Sequence, residues 1–200
     1  VSRATLTEED IVKEKVVVIN EITAAEDYPE EQGYQSFMEG LWPGHPLANK
    51  IAGELEHVEK IDRVSLLRFG ETQYQPNRLT VAVAGLIEFD KIAECLAEHL
   101  ALKDVENFRN GRHKPVPHIV HEYRSSDFQQ LHLYIGTTLS PANDIDSYFT
   151  FMLMSTAFGE SMSSRLFQHV REDQGLCYSI ESFRTLFSDV WLWGIYANAL

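Results

Sequence analysis

Arg171 and Tyr178 are the residues whose types and spacing carry the most chemistry. They lie in the run Ser163-Ser-Arg-Leu-Phe-Gln-His-Val-Arg171-Glu-Asp-Gln-Gly-Leu-Cys-Tyr178-Ser179. The serine pair reads as the N-cap of a short amphipathic helix, Gly175 as its end, and a strand follows at once. That pattern places a guanidinium and a phenol at the two ends of one tight helix-to-strand turn. Aimed together, they can grip the backbone carbonyls of an extended peptide or stabilise charge developing on one. The competing reading gives Arg171 a helix-end salt bridge or C-cap contact and packs Tyr178 in a core. Ser163 and Ser164 are explained by capping, and no base stands beside them in sequence to make either a nucleophile.

Other candidates are weaker. His118-Ile-Val-His121-Glu122 is H-x-x-H-E in a strand-like stretch after Pro115 and Pro117, where residues three apart point to opposite faces and diverge rather than chelate. His45, His57, His99, His132 and His169 show no mutual ligand spacing, and His132, among apolar residues, reads as a satisfied, half-buried side chain. Gly33, Gly40, Gly44 and Gly53 form neither a phosphate-binding loop nor a dinucleotide fingerprint. Asn107 precedes Phe108-Arg109 and is no glycosylation acceptor. Cys95 and Cys177 read as buried free thiols.

The elements that must position these residues follow from local signals. Thr7 with Glu8, Glu9 and Asp10 predicts a helix from Glu8 to about Ala25, against the strand preference of the β-branched Val16–Ile19 stretch. Pro29 opens a second helix to Leu41, which Trp42-Pro43-Gly44-His45-Pro46 ends. Helical pieces are expected around Val58–Lys60 and over Asp62–Tyr74, then a valine-rich strand over Leu79–Gly85. An amphipathic helix over 89–102 presents Phe89, Ile92, Ala93, Leu96 and Leu100 on one face. The polar, proline-containing stretch 103–117 reads as a linker. Strands are expected over 118–123 and 130–138, a helix capped by Asp144, and a hairpin pairing about 177–184 with 190–197. Strands and helices occur without strict alternation, so the fold class is α+β.

Composition sets the outer limits. The chain has 200 residues with 44% hydrophobic content and a formal net charge of −13. The charge argues against nucleic acid and anionic membrane surfaces as partners, either of which needs a basic face. No apolar run approaches the ~18 residues of a membrane span. The chain reads as soluble, cytoplasmic or periplasmic, with the compartment open. Starting on Val1 and ending inside an expected strand, it reads as a piece of a longer protein.

Five segments, in order, resemble the M16 family of zinc peptidases, the pitrilysin and mitochondrial-processing-peptidase type. They are Val16–Ile22 with Asp27, Pro29 and Glu30; Phe37–Trp42 with Gly44-His45-Pro46-Leu47 and Gly53-Glu54; Tyr74–Gly85; Gly159–Tyr178; and Asp189–Ala197. The resemblance implies the later part of one M16-type domain (1–102), a linker (103–117) and the earlier part of a homologous second, substrate-contacting domain (118–200), each an antiparallel-rich sheet covered by helices. It implies that the parent is a zinc-dependent endopeptidase of short or unfolded polypeptides. Glu21, which nothing else in the sequence singles out, would be its distal zinc ligand, and Arg171 and Tyr178 would contact the substrate backbone. The family's H-x-x-E-H helix would lie upstream of Val1, so this stretch by itself is expected to be inactive and not to hold zinc stably. Pairing with another M16-type chain, as a homo- or heterodimer, is a further implication. The alternative is a non-catalytic M16 homologue that serves as a substrate-binding or scaffolding subunit.

Overall fold

The computed structural model describes residues 5–75, 78–99, 113–119 and 129–200. The chain divides into two compact units, one formed by 1–22 with 52–112 and the other by 23–51 with 113–200. This is a division by packing, whereas the boundaries expected at 102 and 117 describe a repeat of homologous folds.

The first unit is helical. Helix α1 (Glu8–Glu26) begins where expected, with the Thr7 hydroxyl accepting the Asp10 amide at 3.2 Å, and runs into the second unit from Thr23. Its β-branched stretch stays helical because cap, first-turn acids and the Lys13–Glu9 pair outweigh a propensity term of a few tenths of a kcal/mol per residue. Helices α3 (Leu55–Lys60) and α4 (Arg63–Gln73) follow. Asp62 and Ser65 form a reciprocal capping box at the start of α4, and Lys15 Nζ donates to the Glu59 carbonyl at 2.9 Å. Helix α5 (Phe89–His99) carries the expected amphipathic pattern but buries none of its residues. Two expectations fail here. Leu79–Gly85 forms no strand: among the described residues no neighbouring strand supplies its backbone hydrogen bonds, and Leu79, Val81 and Val83 stay about half exposed. Cys95 is exposed rather than buried, since nothing among the described residues covers α5; it is free, as is the half-buried Cys177.

The second unit holds a three-stranded antiparallel sheet of β1 (Leu131–Leu139), β2 (Ser179–Leu186) and β3 (Trp191–Ala199) in the order β1-β3-β2. Register pairs Tyr134 with Tyr196 and Glu181 with Tyr196, which puts those side chains on one face. Helix α2 (Pro29–Leu41) covers that face through Tyr34 and Phe37, packed on Tyr134 and Phe183 at ring separations of 5.9–6.0 Å. Met38, Leu41, Trp42, Ala48, Val190 and Leu192 form the core beneath it. Helix α6 (Ile145–Gly159), capped by Asp144 as expected, covers the other face. Phe151 stacks on Trp191 at 5.0 Å and Phe158 on Trp193 at 5.5 Å. Buried Ser155 ties the layers: its hydroxyl takes the Trp193 indole N–H at 3.1 Å, and its carbonyl accepts the Ser182 hydroxyl at 3.0 Å. An ion pair between Arg184 and Glu160 lies beside it.

Of the strand expected over 118–123, His118 and Ile119 lie in irregular chain, and the rest, including His121 and Glu122, falls outside the described residues. So does most of the linker.

Candidate functional site

The turn between α6 and β2 is built in three steps. Buried Ser164 caps the segment, its hydroxyl accepting the Phe167 amide at 3.4 Å. The helix then widens, against the regular helix expected, into a π-helix over Phe167–Asp173. Such turns need an extra residue per hydrogen-bonded ring, are rare, and are frequent at functional sites. Gly175 ends it at φ +61°, a left-handed conformation that costs a glycine nothing. The Gly175 amide donates to the Arg171 carbonyl at 3.0 Å and the Leu176 amide to the Val170 carbonyl at 3.1 Å. Asn198 on β3 then anchors the far side. Its carbonyl accepts the Tyr178 amide at 2.8 Å, and its side-chain oxygen accepts the Ser179 amide and hydroxyl at 3.0 and 3.1 Å.

This frame brings the two expected residues together. The Arg171 guanidinium carbon stands 5.9 Å from the centre of the Tyr178 ring and 4.5 Å over the ring of Phe167. Tyr178 is 75% exposed, which excludes the core-packing alternative for it. Among the described residues the only ion-pair contact of Arg171 is Glu172, at the outer limit of 4.0 Å. The guanidinium is therefore stacked and held, yet its charge is left largely uncompensated and half exposed. An extended chain laid along it would meet a fork of N–H donors next to a phenol. Phe167 and Asn198 were missed by sequence reasoning. The spacing Phe167-x-x-x-Arg171, a ring one turn before a cation, is the signal that could have found the first. Asn198 gave none, because its role depends on strand pairing.

Two concavities flank the sheet unit. One, of about 470 Å³, runs along the π-helix and is lined by Phe158, Leu166 and Val170 together with Arg165 and His169. The other, of about 320 Å³, lies at the start of α2 between Tyr34, Tyr134, Tyr196 and the carboxylates Glu30, Glu31 and Glu181. Burial, reinforced by neighbouring negative charge, raises the Tyr134 phenol far above its ordinary value; burial raises Tyr196 as well. His132 Nδ1 and the Tyr196 hydroxyl share a hydrogen bond at 3.0 Å, while Nε2 is buried with no partner among the described residues. The expected satisfied, half-buried side chain is found at Nδ1 and not, among the described residues, at Nε2.

Glu21 sits exposed on α1, beside buried Ile22. Among the described residues no three His, Cys, Asp or Glu side chains come together as a metal site. A lone accessible carboxylate suits one corner of a zinc site and cannot make a whole one.

Residues 60–199 match the family model described as the peptidase M16 inactive domain. An uncharacterised zinc protease of Rickettsia felis is 30% identical over 99% of this chain and 48% of its own length. One of Mycobacterium tuberculosis is 31% identical over 96% of this chain and 45% of its own. The chain thus spans about half the length of these relatives. Among solved structures, a peptidase M16 inactive domain from Pseudomonas fluorescens superposes with a TM-score of 0.81 at 20% identity, over 98% of this chain and 48% of that one. A protease from Helicobacter pylori gives 0.77 at 20% identity, over 98% of this chain and 49% of that one.

Proposed function

The chain belongs to the M16 peptidase family, and from that premise we propose that it is the central part of a longer zinc-dependent endopeptidase acting on short or unfolded polypeptides. The observation that carries the proposal is the Arg171 guanidinium, stacked on Phe167, next to exposed Tyr178 and poorly neutralised by Glu172. These two side chains hold the substrate backbone, the arginine by donating to a carbonyl and the phenol by fixing the direction of approach. Glu21 is one ligand of the metal, with the others contributed from outside this chain. Zinc in such a site supplies the Lewis acidity for attack of water on a peptide carbonyl. The zinc-protease names of the relatives support that chemistry, and their greater length supports a parent with more chain than this. The substrate docks as an added strand; β1 and β2 both present free edges within the described sheet. The homologous-domain boundaries at 102 and 117, and pairing with a second M16-type chain, complete the proposal.

A second reading is favoured by one observation: the matched family model is described as an inactive domain. On that reading the protein binds peptides beside a catalytic M16 partner, and Arg171 and Tyr178 serve binding alone.

Arg171→Ala separates function from fold. Losing a hydrogen bond from a charged donor costs about 1.5–3 kcal/mol, or about 10- to 150-fold in kcat/KM. In the full-length protein the variant should keep its metal and its Tm and lose that much peptide turnover, or that much peptide affinity on the second reading. Unchanged turnover and affinity would return Arg171 to a structural role.

A further inference from the structure

We propose that Phe167 is a positioning residue for the substrate contact, acting through Arg171; the inference rests on the reading of Arg171 and Tyr178 given above. An exposed arginine on a helix samples many rotamers, and a single substrate carbonyl must then order it at an entropic cost. Here that ordering is done in advance. The Phe167 ring lies under the guanidinium at 4.5 Å, well inside the range of cation–π attraction, while Tyr178 borders the group at 5.9 Å. Among the described residues the one ion-pair contact of the group, Glu172, stands at the outer limit of 4.0 Å and leaves the guanidinium over the ring.

The π-helix is what makes this stack. Phe167 and Arg171 are its first and fifth residues, and widening the turn brings residues four apart closer to eclipsed than a regular helix does. The backbone that carries the ring is itself anchored, because the Phe167 amide donates to the buried Ser164 hydroxyl at 3.4 Å. The arginine backbone is tied at the other end by the Gly175 amide at 3.0 Å. The local distortion thus has a purpose: it sets an aromatic face under a cation whose side chain stays partly exposed.

Removing the π face should free the guanidinium without removing it. Phe167→Leu in the full-length protein should weaken binding of a fluorescently labelled unstructured peptide by roughly three- to tenfold, with kcat/KM for the same peptide falling in parallel wherever it is turned over. Phe167→Tyr, which keeps a π face, should restore both, and the Tm of the two variants should agree. In an Arg171→Ala background Phe167→Leu should have no further effect, because nothing is left to position. Should Phe167→Leu fail to fold, Phe167→Met carries the same comparison. Additive losses in the double variant, or wild-type binding by Phe167→Leu when Arg171→Ala is impaired, would overturn the positioning role and leave the substrate contact standing. No loss in Arg171→Ala itself would overturn both.

Discussion

Gly159→Ala tests the packing that sets up the substrate-facing turn, and it pits two effects of opposite sign against each other. Gly159 is the last residue of α6 and is buried against β2. Judged as a helix position alone, alanine is favoured over glycine by about 1 kcal/mol. The structure argues the reverse. A Cβ at Gly159 would stand 2.5 Å from the Ser182 backbone nitrogen and 2.7 Å from the Ser182 Cβ and Oγ. The nearest atom belongs to strand backbone, so α6 or β2 must shift rather than a side chain swing aside. Overpacking of this kind costs about 1–3 kcal/mol. The shift also endangers the 3.0 Å bond from the Ser182 hydroxyl to the Ser155 carbonyl, worth about 1 kcal/mol net. The helix gain and the bond loss cancel, leaving a net loss of about 1–3 kcal/mol. At 2–4 °C per kcal/mol for a chain of this size, Tm should fall by about 2–12 °C. Thermal unfolding followed by circular dichroism reads this directly. Because β2 starts at Ser179, one residue beyond Tyr178, peptide affinity should fall with it. A Tm equal to or above wild type would refute the close approach and the α6–β2 register it depends on.

Three further outcomes follow from named contacts. The Ser65 backbone amide and hydroxyl hold the Asp62 carboxyl below the usual carboxylate range, and those of Ser147 do the same for Asp144. Both groups contribute stability that is fully present above the unfolded value of about 4 and lost as pH falls through the depressed folded values. Tm should therefore hold level from neutrality to about pH 4 and fall below it, and the double variant Asp62→Asn, Asp144→Asn should flatten that acid limb; an unchanged limb would refute it. Tyr134 and Tyr196 are raised, so their contribution is intact at neutral pH and is lost as pH climbs above the ordinary phenol value of about 10. Alkaline titration of Tyr134→Phe should show a shallower fall than wild type. Leu192→Ala, at a fully buried core position, should cost about 2–5 kcal/mol in denaturant unfolding; a loss under 1 kcal/mol would mean that α2 does not seal the sheet face.

How much was legible in the sequence depends on how local each signal was. Helices α1, α2 and α6 were readable because caps, prolines and first-turn acids act within four residues, as Thr7, Pro29 and Asp144 do. The β2–β3 hairpin was readable for the same reason. Leu79–Gly85 has the composition of a strand but, among the described residues, lacks the partner, which no local pattern supplies. The π-helix differs from a regular one by a ring size that side-chain identity does not encode. Packing of α2 on a sheet about a hundred residues later, as in the Tyr34–Tyr134 contact, is non-local and left no trace in periodicity. Arg171 and Tyr178 stood out as chemistry-bearing types across a glycine turn. The Phe167 ring that holds the arginine was invisible as such, because a phenylalanine on a helix normally signals core.

Zinc content of the purified full-length protein, measured by atomic emission beside its Glu21→Gln variant, tests the peptidase reading most directly. About one zinc per chain is expected in the wild type, with both metal and peptide turnover reduced in the variant. A wild type that binds no zinc at saturating metal, or a variant that retains metal and turnover in full, would contradict the peptidase reading or the assignment of Glu21 respectively.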